Sequence, residues 1–159
     1  MIIAQQKRRE NIAEYLLYMW QVEDMMRACN LDIDIIERSI ISRYNVDGAV
    51  HAKIRDWWEG LIKMMELENV KETGHLQINK NVIIRLTDLH LALVKNEKYP
   101  DYGADYYRTL PYIVELRAKY DNTDDAAGEL ETCFNALYGM LMLKLQGKEI
   151  SSGTQVAMS

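Results

Sequence analysis

The stretch NIAEYLLYMWQVEDMMRACN, Asn11 to Asn30, decides the fold of this chain. Its apolar residues recur at intervals of three and four, the period of a helix rather than of a strand. At 100° per residue, Ile12, Leu16, Met19, Trp20, Glu23 and Met26 share one face. Tyr15, Tyr18, Val22 and Met25 cover much of the remainder, and only Glu14 and Gln21 make a plainly polar strip. A helix apolar nearly all round is covered on several sides. It is therefore expected at the centre of a bundle or between two subunits.

The same stretch is not read as a membrane span. Its uncharged run, Tyr15 to Val22, is eight residues long, against the ~20 needed to cross a bilayer. Arg27 and Asp24 also break any export pattern before Cys29.

Outward from this segment the helical period continues. Two prolines and eight glycines in 159 residues leave room for long helices. Six are predicted: Gln5 to Ala28; Asp32 to Tyr44, capped by Asn30 or Asp32; from Asp47, as N-cap, to Lys71; Ile78 to Asn96; Ala104 to Tyr120, kinked or restarted by Pro111; and Glu129 to Gln146. ETGH (72–75), EKYPDYG (97–103) and DNTDDAAG (121–128) separate them. The fold expected is all-α, a single-domain antiparallel bundle of about six helices over residues 1–146, with 147–159 as a flexible tail. Ile84 and Leu91, seven apart on the far side of the fourth helix, offer a second apolar face. That face could pack on another helix of the monomer or on a second chain; with the first helix it makes a homodimer, the commonest oligomer, the expectation.

Composition excludes several functions. The net charge is −5, and the one basic cluster, Lys7 to Arg9, is followed at once by Glu10, so no nucleic acid partner is expected. Cys29 and Cys133 lie far apart among apolar residues, outside any CxxC, which suits reduced thiols and a cytoplasmic location. No Gly-rich phosphate loop, dinucleotide fingerprint or nucleophile elbow occurs, so no cofactor is implied. A bridged dimetal bundle needs paired Glu-x-x-His motifs. The single match, Glu72 with His75, contains Gly74 and falls in a loop, so no metal is expected.

One charge stands out. Glu23 falls on the apolar face of the first helix, and a buried carboxylate is costly unless paired. Arg27 follows four residues on, and Arg117 falls on the stripe of the fifth helix. Two readings are open. One is a structural ion pair that fixes helix register. The other is a polar pocket for a small ligand, built from Glu23, Arg27 and Arg117 with His90 and nearby tyrosines, which leaves an enzymatic role open. His51 and His90 border their helices' stripes and read as packing histidines. The loop GHLQINKN, with His75, Gln77, Asn79 and Asn81, is a separate, weaker candidate, since loops carry function more often than cores; the alternative is that Asn79 or a neighbour caps the fourth helix.

Four long phrases, IAQQKRRENIAEYLLYMWQVEDMMRA, KETGHLQINKNVIIRLTDLHLAL, YYRTLPYIVELRAKY and ETCFNALYGMLMLKLQGKEIS, resemble an uncharacterised Bacteroidetes family, domain of unknown function 4924, over nearly the whole chain to about Ser151. The resemblance implies an all-α cytoplasmic bacterial protein and brings no catalytic residues, cofactor or substrate. Relatives continue with another helix where this chain has SGTQVAMS.

Overall fold

In the computed structural model, residues 2–119 and 128–159 are described. Among them the chain is all-helical, with eight α-helices, one 3₁₀ turn and no strand. The helices are α1 (Ile2–Glu10), α2 (Ile12–Ala28), α3 (Ile33–Ser39), α4 (Gly48–Leu67), α5 (Gln77–Val94), α6 (Pro100–Lys119), α7 (Glu129–Leu145) and α8 (Ser152–Met158). A 3₁₀ turn, Ile41–Arg43, follows α3. The chain divides into two compact units, Met1–Val82 and Ile83–Ser159, with the boundary inside α5. The break expected over 121–128 lies outside the described residues except for Gly128, which caps α7.

The count of six is corrected at three places, each with a local cause. The first helix is broken at Asn11, whose backbone is extended (φ −154°, ψ 106°). Its side-chain oxygen accepts from the N–H groups of Ala13 (3.0 Å) and Glu14 (3.2 Å), an N-cap that starts α2 afresh. The basic cluster Lys7, Arg8 and Arg9 thereby becomes the last turn of α1, where positive charge complements the helix dipole. Lys7 pairs with Glu14 at 3.2 Å, and Arg8 lies over the Tyr15 ring. In the second helix, Asp32 is the cap, but α3 ends at Ser39 and the 3₁₀ turn replaces its last residues. The tail folds as a short helix, α8, capped by Ser151.

Other boundaries move for similar reasons. Pro100 starts α6, four residues ahead of the expected Ala104, because its fixed φ suits a first helical position. Pro111 sits inside α6 without restarting it. The N–H that proline lacks would have served the carbonyl of Tyr107, and Tyr107 is 63% exposed, so water is at hand.

Three helices end alike. Asn30, Asn69 and Gly147 take φ of 55°, 56° and 67°. The residue after each donates its N–H back five positions: Leu31 to Met26, Val70 to Met65, and Lys148 to Leu143. These are Schellman closures of α2, α4 and α7. They stop α4 at Leu67 rather than Lys71.

In the first unit α2 is central. It buries Tyr15, Leu16, Met19, Trp20, Val22, Glu23 and Met26, while α4 buries Ile54, Trp58, Leu61, Ile62 and Met65. Ile36 and Ile41 join this core. Arg55 clips α3 to α4 by reaching Asp34 (2.9 Å), Glu37 (3.3 Å) and Glu59 (3.2 Å), and His51 meets Glu37 at 2.7 Å. The second unit packs α6 against α7. Its buried residues are few: Ile83, His90, Ile113, Thr132 and Phe134 among those described.

Candidate functional site

Glu23 is 0% exposed, and three donors meet its carboxylate. Oε1 accepts from the Leu76 N–H (2.9 Å) and from Asn79 Nδ2 (2.6 Å). Oε2 lies 2.6 Å from His75 Nδ1. A carboxylate only accepts, so Nδ1 carries the proton in this pair. The His75 ring stacks on Trp20, with centroids 4.3 Å apart and planes 14° apart. The Schellman closure of α4 turns the chain, and Gly74, at φ 88°, turns it again into α5. Leu76 is the N-cap position of α5, since its carbonyl accepts from Lys80. Gln77 N–H donates to Glu68 at 2.7 Å. Two carboxylates thus take the first N–H groups of α5, where the helix dipole favours negative charge.

Arg27 serves the same loop by another route. Its guanidinium donates to Asp24 Oδ1 (3.1 Å), to the Val70 carbonyl (3.1 Å) and to the Gly74 carbonyl. Glu23 and Arg27 therefore brace one loop side by side, with separate partners. Arg117 lies in the second unit, exposed on α6. Sequence reasoning singled out both Glu23 and the loop GHLQINKN but did not join them. The missed partners are His75, the Leu76 N–H and Asn79; a carboxylate on an apolar face and a polar loop that must cap a helix were the available signals. Asn79 faces Glu23 with its side chain, and its Oδ1 is buried without a hydrogen-bond partner. The Glu23–His75 pair has no third ligand: among the described residues no three His, Cys, Asp or Glu side chains cluster to hold a metal ion.

His90 belongs to a different place. It is 8% exposed on α5, and its Nδ1 shares a hydrogen bond with the Tyr102 hydroxyl at 2.7 Å. The Tyr106 ring meets His90 edge-on, with centroids 4.8 Å apart. Tyr106 donates its O–H to Glu129 Oε2 at 2.7 Å. These side chains border a cleft of about 240 Å³ in the second unit, whose apolar walls include Ile113, Leu130 and Cys133. The hydrogen bond to Glu129, then burial and the charge of Glu129, hold the Tyr106 hydroxyl above its ordinary range. Burial, and then Glu129, push the Cys133 thiol up; burial, and then Cys133, do the same for Tyr102.

The family comparison covers every one of these residues. The model of the family described as Domain of unknown function (DUF4924) matches residues 1–159. The chain belongs to this family. No curated protein and no solved structure matches it. The family assigns no catalytic step, ligand or substrate. No helix among the described residues is long and apolar enough to cross a membrane.

Proposed function

We propose that this chain is a non-catalytic, cytoplasmic bacterial protein that acts through protein contacts, as a homodimer of antiparallel helical bundles. The observation that carries this reading is the bareness of α7. α2 and α7 are each 17 residues long and apolar nearly all round, yet α2 buries seven residues and α7 buries two. Leu145 is 64% exposed and Leu143 37%. Val114 on α6, and the pair Ile84 and Leu91 on α5, are more than half exposed. We read these side chains as parts of an apolar contact surface for a second copy, a contiguous patch being the mark of such a site; covering one such side chain is worth about 1.5–3 kcal/mol. The dimer reading now rests on α5, α6 and α7, because α2 is already buried within the chain.

Light scattering on the eluting chain tests this. A dimer mass is expected, falling to a monomer on Leu145→Glu with Leu143→Glu. A monomer at all concentrations up to hundreds of micromolar would overturn the reading. The Glu23 group is read as a structural clamp, because three donors of its own unit occupy the carboxylate.

A further inference from the structure

The cleft beside His90 combines three features. Its walls carry two carboxylates, Glu129 and Asp105, and no Lys or Arg among the described lining residues. It presents aromatic rings, those of His90, Tyr102 and Tyr106, beside an apolar floor. Its volume of about 240 Å³ exceeds the ~150 Å³ cavity that takes up benzene, so it has room for roughly ten non-hydrogen atoms. We infer that it is a binding site for a compact organic ammonium ion with an apolar body.

The chemistry of each part fits that guest. Oε2 of Glu129 already accepts from Tyr106, which fixes the carboxylate and leaves Oε1 for an N–H donor or a close positive charge. An ammonium within ~6 Å of a tyrosine face gains from the ring quadrupole. The body of the guest would rest on Ile113, Leu130 and Cys133. The Glu129 carboxylate stands in the cleft wall with no lining Lys or Arg among the described residues to offset it, and such a charge repels anions. Asp105 already pairs with Arg108, so Glu129 is the deciding charge. The inference stands apart from self-association and does not need it.

Three probes of similar size and different charge test it on the isotopically labelled full chain: phenethylammonium, 2-phenylethanol and phenylacetate. Phenethylammonium is expected to shift the resonances of Tyr106, Glu129 and Cys133 saturably and to bind at least tenfold tighter than the other two. Glu129→Gln keeps an acceptor for the Tyr106 hydroxyl and removes the charge; it should weaken the amine at least fivefold and leave the alcohol unchanged. Equal affinity for the three probes, preference for the carboxylate, or shifts confined to other residues overturns the site. So does wild-type amine affinity in Glu129→Gln. Should that variant not fold, the charge preference and shift map of the unaltered chain decide alone.

Discussion

His75 Nδ1 lies 2.6 Å from Oε2 of Glu23, 52 positions earlier in the chain, and the histidine ring stacks on Trp20. The α4–α5 loop is thereby fastened to α2 by a carboxylate that water does not reach.

Replacing that carboxylate tests the fastening. Glu23→Gln removes the charge and turns one acceptor oxygen into an NH₂ group, so His75 must give up its bond or move its ring proton to Nε2. We expect a loss of about 2–4 kcal/mol, a fall in Tm of roughly 5–15 °C for a chain of this size. Urea unfolding measures it. A change below about 0.5 kcal/mol would show that the group holds nothing.

Gly74→Ala addresses the same loop through its backbone. At φ 88° a side chain is strained, and an added Cβ would stand 3.4 Å from Val70 Cγ1. The expected cost is about 1–2 kcal/mol. Because Arg27 donates to the Gly74 carbonyl, amide exchange in residues 70–76 should quicken as well.

Alkali should destabilise the first unit through Tyr18. Burial, and then Tyr44 beside it, hold the Tyr18 hydroxyl above its ordinary range. The folded state therefore keeps this proton more tightly than the unfolded one. The stabilisation is whole below the unfolded value near ~10 and is lost as pH climbs from there through the folded value. Stability measured from pH 8 to 11.5 should fall, and Tyr18→Phe should flatten part of that fall. An equal slope in both chains would refute this assignment.

The two thiols should be sluggish. Burial raises both Cys29 and Cys133, with Asp32 adding to the first and Glu129 to the second. At pH 8 a disulfide reagent should modify the folded chain at least tenfold more slowly than the chain in denaturant, since the thiolate is the reacting form.

Particular residues show what could be read in advance. The helical period around Leu16 and Trp20 marked α2 as buried, and Asp47 announced the start of α4. The spacing of Ile84 and Leu91 marked a second apolar face but left open whether another helix of the monomer covers it; both are more than half exposed. Asn11 was missed because the apolar pattern passes across it; only its capping chemistry announces the break. Pro100 was taken for a turn residue when it is equally suited to a first helical turn. Glu23 was legible as an odd charge, but its partners lie 52 to 56 residues away. Periodicity within a helix carries no information about such pairings. The cleft was hidden for the same reason, since His90, Tyr106 and Glu129 come from three helices.

That separation has a kinetic meaning. We expect the bonds from Glu23 to His75, Leu76 and Asn79 to close after α4 has formed and turned back, because its folding shortens the loop whose closure they require. Glu23 should then be a latch set late in folding rather than a seed for it. Its loss should speed unfolding and barely slow refolding. The buried carboxylate would govern how long the folded chain lasts more than how quickly it is made.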